Sequence, residues 1–217
     1  MPGSIFPTTR GSVVAALASE DRDQRARAFD TLAQIYRTPL LAYARLAHHR
    51  DDGEDLTQSF LAVAFERDSL ATYDAQKASF RTFLRTLFDR FIANDARAAS
   101  RQKRGGHLTV VDMPETGDAP NPEEVFQREW VRSVFEAAVE RLRPHADFAI
   151  FEAYDLHGGV SYRDLAQQFG LTETTVTNRL AAARRAFRAI VLDLLREITA
   201  SDAEFHSEAR ALLGVDV

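Results

Sequence analysis

Apolar side chains recur every three to four residues along most of the chain, which is the spacing of one face of an α-helix. The clearest case is the segment 80–101, whose apolar positions fall on one arc of a helical wheel. Those positions are Phe80, Phe83, Leu84, Leu87, Phe88 and Phe91. No segment alternates polar and apolar side chains for more than a few residues, as a half-buried strand would. The pattern therefore predicts an all-α fold.

The same spacing predicts helices on both sides of this segment. They cover residues 12–18, 23–36, 40–46, 54–67, 123–142, 146–156, 172–198 and 203–213. Pro39 stands between two of them, and proline is best tolerated in the first turn of a helix. We therefore expect Pro39 to break the first long helix or to restart it.

The segment 161–187 has the pattern of a helix-turn-helix. Ser161 and Asp164 form a capping box that starts the first helix. Gly170 allows the left-handed turn that ends it, and Thr172 is the predicted N-cap of the second helix. Small polar and basic side chains on the outer face of that second helix suit base edges and phosphates in a major groove. The alternative is an ordinary helical hairpin with a solvated face.

Glycine, proline and acidic residues collect in the segment 102–122, a composition typical of a linker. We place the domain boundary there. The prediction is two small helical domains, at residues 1–101 and 123–217, joined by a flexible linker at 102–122. The second domain carries the helix-turn-helix, and its terminal segment 199–217 is expected to be a packing helix rather than a regulatory one.

Composition narrows the functional classes. The chain has 217 residues, a net charge of −5 and no cysteine, so disulfides and thiolate metal sites are excluded. Its start lacks a signal-peptide pattern, and no apolar run approaches the roughly 18 residues of a membrane span. We therefore expect a cytoplasmic protein with no membrane association. Because the common nucleotide-binding and catalytic motifs are absent, we expect neither an enzyme nor a cofactor or metal.

One segment departs from this acidic background. Residues 77–104 contain eight basic and two acidic side chains, and such a segment can bind phosphates with salt-dependent affinity. The basic residues lie on two flanks of the apolar arc, however, and charge runs are usually solvated helix faces. Tyr73, just before this helix, is a candidate for stacking on a base, whereas we expect the phenylalanines to pack in the core.

A second polar surface is expected where the helix 54–67 begins. Asp55, Thr57 and Gln58 are predicted to be exposed there. The carboxylate near the helix start could serve only the helix dipole, or the surface could dock a partner helix. The spacing does not separate these two interpretations.

Taken in order, these features resemble a sigma factor of the sigma-70 family, of the short extracytoplasmic-function (ECF) type that keeps the second and fourth conserved regions. The resemblance covers nearly the whole chain. It rests on the segments TLAQIYRTPLLAYARLA, EDLTQSFLAVAFERDSLA, FRTFLRTLFDRFIANDARAASRQKRGG and VSYRDLAQQFGLTETTVTNRLAAARRAF. It implies a protein that binds core RNA polymerase and promoter DNA.

The resemblance also implies roles by position. The clamp helices of the polymerase β′ subunit would be bound by Asp55, Thr57 and Gln58. The connection 68–79 and the helix after it would open and capture the −10 element, through Tyr73, Lys77, Arg81, Arg85, Asn94, Arg97 and Arg101. The second domain would rest on the β flap and bind the −35 element, through Thr174, Thr177, Asn178, Arg184 and Arg185.

Two departures from the family pattern affect these roles. Phe83 stands where family members usually carry tryptophan, and Ala181–Ala183 offer no hydrogen-bond donors to DNA. We therefore expect weak −35 recognition that depends on tethering by the polymerase. The alternative function is a stand-alone helix-turn-helix regulator, a class that normally dimerises, although no heptad seam is present. The sequence leaves open the promoter sequence and control by an anti-sigma protein.

Overall fold

The computed structural model describes residues 13–17, 19–66, 69–102 and 121–214. Within these ranges the chain forms helices and no strand, which confirms the all-α fold class. The helices are α1 Val13–Ala16, α2 Arg22–Ala47, α3 Gly53–Glu66, α4 Phe80–Gln102, α5 Pro122–Leu142, α6 Phe148–Phe151, α7 Tyr162–Phe169, α8 Glu173–Ile198 and α9 Asp202–Leu213. A 3-10 helix, Ser69–Thr72, follows α3, and a π-helix, Glu152–Leu156, follows α6.

Helix α2 runs without a break through Pro39. The prediction that Pro39 would break or restart the helix is wrong. Proline in a helix interior costs about 3 kcal/mol, but α2 buries Tyr36, Leu40 and Tyr43 on the side that also carries Pro39. Burial of several large side chains exceeds this cost, because tertiary packing overrides helix propensity.

The described residues form two compact units, one made of those up to residue 133 together with those from residue 197 onward, and the other of residues 134–196. The first unit holds α1 to α4, the start of α5, and α9. This division differs from the predicted boundaries, because residues 122–133 and 197–214 join the N-terminal helices rather than the helix-turn-helix. Residues 103–120 of the predicted linker lie outside the described residues, so the linker and the functional domain limits stay predictions.

The first unit has an aromatic core. The rings of Phe60 on α3 and Phe88 on α4 lie 4.9 Å apart between centroids, and both side chains are buried. The start of α5 belongs to the same core, since the Phe126 ring lies 5.9 Å from that of Tyr43 on α2. Phe83, by contrast, is only half-buried. The buried arc of α4 is therefore narrower than the sequence pattern predicts.

The second unit is built around the apolar side of α8. Ala183 packs with Leu142 and Phe151, and the Phe187 ring lies 5.3 Å from that of Phe151. Leu180, nearer the start of α8, belongs to a second cluster that includes Leu165 of α7. These contacts bury one side of α8 along its first half.

Candidate nucleic-acid interfaces

The helix-turn-helix forms as predicted within the second unit. The Ser161 hydroxyl oxygen accepts a 3.1 Å hydrogen bond from the Asp164 N–H, and the Asp164 carboxylate accepts one of 3.0 Å from the Ser161 N–H. This reciprocal pair satisfies donors near the start of α7 that lack a helical partner. Gly170 ends α7 with a φ of 64°, a conformation that a Cβ disfavours. The capping box and the glycine turn are confirmed.

Helix α8 begins directly after its predicted cap. The Thr172 hydroxyl oxygen accepts a 3.2 Å hydrogen bond from the Thr175 N–H, so Thr172 acts as the N-cap. Val176 and Leu180 then pack against Leu165 of α7, which is fully buried. Because α7 covers this side of α8, the opposite side of its first turns faces solvent.

That outer face carries most of the predicted −35 residues. Thr174, Asn178 and Arg185 are all exposed. Thr177 is exposed too, although its hydroxyl donates to the Glu173 carbonyl at 3.0 Å. Hydroxyl, amide and guanidinium groups on one helix face have the donors and acceptors that base edges and phosphates require.

Arg184 has a different environment from its neighbour. Its Nη2 donates to Asp155 Oδ1 at 2.7 Å and its Nε donates to Asp155 Oδ2 at 3.0 Å. The guanidinium carbon also lies 5.4 Å from the centroid of the Tyr154 ring. Both partners belong to the π-helix after α6, which sequence periodicity does not reveal. The predicted DNA contact of Arg184 would have to compete with this ion pair.

Two further arginines on α8, Arg179 and Arg188, are exposed but absent from the predicted −35 set. Arg179 Nε lies 3.7 Å from Asp147 Oδ1, a long and loose ion pair. Arg188 stands three residues after Arg185, a spacing that places both on one helix face. They extend the cationic surface of α8.

In the first unit, Tyr73 does not present a free ring. Its centroid lies 5.2 Å from those of both Phe80 and Phe83, and its hydroxyl donates to the Ala78 carbonyl at 2.9 Å. Burial, and then the negative charge of Glu204, raise the pKa of Tyr73, so the hydroxyl stays protonated and remains a donor. Stacking of this ring on a base would require it to leave its aromatic neighbours.

Arg81 and Arg85 are also engaged inside the first unit. Arg81 Nη2 lies 3.2 Å from Glu208 Oε1 on α9, and its guanidinium carbon stands 4.5 Å from the centroid of the Trp130 ring. Arg85 Nη1 lies 2.5 Å from Glu123 Oε2 at the start of α5. Neither carboxylate was expected near α4, because both are distant in sequence. A phosphate contact by either arginine would require these ion pairs to open.

The other predicted −10 residues with described side chains are exposed. Lys77 Nζ forms an ion pair with Asp74 at 3.1 Å in the turn before α4. Arg97 Nη1 donates to Asn94 Oδ1 at 3.2 Å on the solvent side of α4. The side chain of Arg101 lies outside the described part of the chain. These exposed residues are spread over several turns, so they do not form one compact site.

A surface cavity of about 370 Å³, which Lys77 helps to line, lies between the turn after the 3-10 helix and one face of α4. Phe83 and Leu87 supply apolar walls, and Arg90 supplies positive charge. The Lys77 side chain at this cavity is paired with Asp74. The predicted −10 set omits Phe83, Leu87 and Arg90. Their spacing of four and then three residues places them on one helix face, but a solvated cavity beside that face requires the fold of the preceding turn.

On α3, Asp55 and Gln58 are exposed and lie three residues apart on one face. Thr57, in contrast, is only 1% exposed, so the prediction that it faces solvent is wrong. Its position falls on the same side as Phe60 and Ala64, and its hydroxyl donates to the Gly53 carbonyl at 2.7 Å. A threonine is tolerated there because the helix itself satisfies the hydroxyl.

The sequence model of the ECF sigma factor family matches residues 18–192. The chain belongs to the ECF sigma factor family. It therefore has a sigma factor role in transcription initiation, and the family is not one of enzymes. No curated protein matches the chain.

The match includes both candidate interfaces of this sigma factor. Helix α4 with its cavity and the exposed start of α8 lie within residues 18–192. Helix α9 lies beyond the matched residues, although it supplies Glu204 and Glu208 to the surroundings of α4. Membership of the family therefore assigns no role to α9.

The described residues of the sigma factor contain no cluster of three or more histidine, aspartate or glutamate side chains arranged to hold a metal ion. Within the same ranges, every helix is too short or too polar to cross a bilayer.

Proposed function

We propose that this ECF sigma factor binds core RNA polymerase in the cytoplasm and directs it to promoters that have a −10 and a −35 element. The family match supports the role in initiation. The exposed Asp55 and Gln58 on α3 would contact the clamp helices of the β′ subunit. The helix-turn-helix domain would dock on the β flap. Thr57 is not included in the contact surface, because it is buried.

The cavity beside α4 is the observation that carries the −10 part of the proposal. Proteins that act on a duplex can hold an extruded base in a snug pocket with an aromatic or apolar wall. Phe83 and Leu87 would provide that wall, and Arg90 at the same cavity would attract the phosphates beside the base. Lys77 would join Arg90 by exchanging its ion pair with Asp74 for a phosphate. Capture of one unstacked base would stabilise the open promoter.

The outer face of α8 would contact the −35 element in the major groove. Asn178 and Arg185 have the side chains suited to adenine and guanine edges, respectively. A second helix of a helix-turn-helix usually places its N-terminal residues against the bases. The exposed Thr174 at the start of α8 fits that arrangement.

Reconstitution with core polymerase tests the proposal. The full chain is mixed with core enzyme, the complex is isolated by size exclusion, and transcription is measured on a library of promoters with randomised −10 and −35 positions. We expect a stable complex and transcripts that start at a fixed distance from two enriched sequence elements. Core polymerase without the sigma factor is the control, and transcripts equal to those of this control contradict the proposal.

The alternative function, a stand-alone helix-turn-helix regulator, leads to a different expected result. Such a protein would bind duplex DNA tightly as a dimer without polymerase. Analytical ultracentrifugation and a duplex-binding assay on the free chain therefore separate the two functions. We expect a monomer with weak duplex affinity that falls steeply with salt.

A further inference from the structure

Helix α9 is part of the compact unit that contains α4, although it follows the helix-turn-helix in sequence. Its side chains Phe205, Glu208 and Ala209 are buried. The helix therefore does more than extend the chain: it contributes to the core around the proposed −10 site.

Glu204 on α9 makes three hydrogen bonds through its carboxylate. Oε1 accepts one of 2.7 Å from the backbone N–H of Phe80, the first residue of α4. Oε2 accepts one of 2.9 Å from the Ala200 N–H and one of 3.3 Å from the Tyr73 hydroxyl. Because a phenol has a single proton, the Tyr73 hydroxyl shares it between Glu204 and the Ala78 carbonyl.

These bonds join the two structural parts that bound the cavity. The first N–H groups of a helix lack helical partners, and a negative charge at that end is stabilising. The Glu204 carboxylate meets both needs for α4. The same carboxylate reaches Tyr73, which precedes the turn that contains Lys77. It thereby joins the turn on one side of the cavity to the helix that carries Phe83 on the other.

Resting on the function proposed above, we propose that Glu204 is a positioning residue for −10 recognition, which sets the spacing between the turn 73–78 and the first turns of α4. Glu204 itself does not line the cavity. It acts through the Tyr73 ring, which contacts Phe83, and through the backbone of Phe80. Helix α9, which lies outside the residues that the family match covers, thus positions the walls of the proposed −10 site.

Glu208 provides the matched comparison. It lies one turn after Glu204 on the same helix, is buried, and pairs with Arg81. Its carboxylate is directed to Arg81 rather than to Tyr73 or the Phe80 backbone. Loss of its charge should change the stability of the unit without moving the cavity walls. The exposed Asp202 on the same helix controls for the change in net charge.

The test uses the full chain in holoenzyme, with the variants Glu204→Ala, Glu204→Gln, Glu208→Gln and Asp202→Asn. Each is assayed on a promoter library randomised across the −10 element. We expect Glu204→Ala to lower the preference for the favoured base at one position of the −10 element by about tenfold. Loss of a hydrogen bond to a charged group has an effect of this order. Glu204→Gln retains an acceptor for Phe80 and should recover part of that preference. Glu208→Gln and Asp202→Asn should keep the wild-type preference.

Amide hydrogen exchange on the free chain gives a second measurement that needs no polymerase. Each variant is measured at the same number of degrees below its own thermal unfolding midpoint. Under these conditions Glu204→Ala should speed amide exchange at Phe80 and in the turn 73–78 more than Glu208→Gln does. The inference is overturned if Glu204→Ala has the same −10 base preferences as wild type. It is also overturned if Glu208→Gln loses base preference at every position where Glu204→Ala does. A wild-type chain that fails to start transcription with core enzyme contradicts the proposed function itself.

Discussion

Arg184 and Asp155 form a bidentate ion pair, in which Nη2 and Nε of the arginine donate to the two carboxylate oxygens at 2.7 and 3.0 Å. The next residue, Arg185, is exposed on the outer face of α8. These adjacent arginines therefore have different roles in this unit. Arg184 holds the π-helix to α8, whereas Arg185 lies on the surface that the sigma factor is proposed to place in the major groove.

This pair leads to the first prediction. Arg185→Ala should reduce transcription from promoters with a strong −35 element by about tenfold, because a good bidentate base contact is worth roughly 1–3 kcal/mol. Promoters that depend on the −10 element should be affected much less. Arg184→Ala should instead lower the free energy of unfolding by about 0.5–1 kcal/mol, because the lost ion pair is partly exposed. Transcription on a promoter series and thermal unfolding measure the two effects; equal loss at all promoters for Arg185→Ala contradicts the assignment.

The proposed polymerase contact on α3 gives the second prediction. Asp55→Ala should weaken the affinity for core polymerase several-fold, because the variant removes an exposed charge from the docking surface. Asp30→Ala on α2 removes the same charge from another exposed position and is the control. Fluorescence titration of labelled sigma factor with core enzyme measures both. If Asp30→Ala weakens the affinity as much as Asp55→Ala does, the effect is one of net charge.

The cavity beside α4 gives the third prediction. Phe83→Ala should slow open-complex formation on a duplex promoter by about tenfold, because base–aromatic stacking is worth roughly 1–3 kcal/mol. Arg90→Ala should slow it too, because the variant removes a cation that would attract the phosphates beside the base. A template with a preformed bubble at the −10 element should recover most of the rate, since the melting step is bypassed. Arg128→Ala on α5, which removes an exposed arginine elsewhere, is the control. Equal defects on duplex and bubble templates would argue against base capture.

The fourth prediction concerns pH. Burial raises the pKa of Glu208 above its ordinary value of 4.5, in spite of the opposing effect of Arg81. A carboxyl group with a raised folded-state pKa adds stability that is fully present below 4.5 and is lost as the pH rises through the folded pKa. The free energy of unfolding of wild type, minus that of Glu208→Gln, should therefore increase as the pH falls from neutral toward 4.5. Urea titrations of both chains at pH values from about 8 to about 4, a range that includes the ordinary pKa of a glutamate, measure the difference. A difference that is constant with pH would show that Glu208 keeps its ordinary pKa.

Much of the local structure follows from sequence because it depends on neighbours in the chain. The capping box of Ser161 and Asp164 and the left-handed Gly170 need only the few residues around them. The predicted helix 203–213 also ends at Leu213 in the structure. The helical spacing of apolar residues likewise predicts α4 almost to its observed ends. These features are local, so their free energy is decided within one or two turns of helix.

Other features could not be predicted because they depend on residues far apart in sequence. Pro39 is accommodated because the helix that contains it is packed along its length. Thr57 is buried because the core side of α3 is wider than its apolar residues indicate. Arg81 pairs with Glu208, which lies near the opposite end of the chain. No pattern within a single helix encodes such a contact.

The sequence by itself determined that this protein is helical, that it carries a helix-turn-helix, and that it resembles a sigma factor, because these properties depend on local periodicity, caps and short segments. Only the tertiary structure decided which charged side chains are directed to solvent and which are held by other carboxylates. It also placed α9 against the start of α4, through the bond from Phe80 to Glu204. The physical reason is that a side chain's availability depends on the desolvation and pairing that distant residues impose on it.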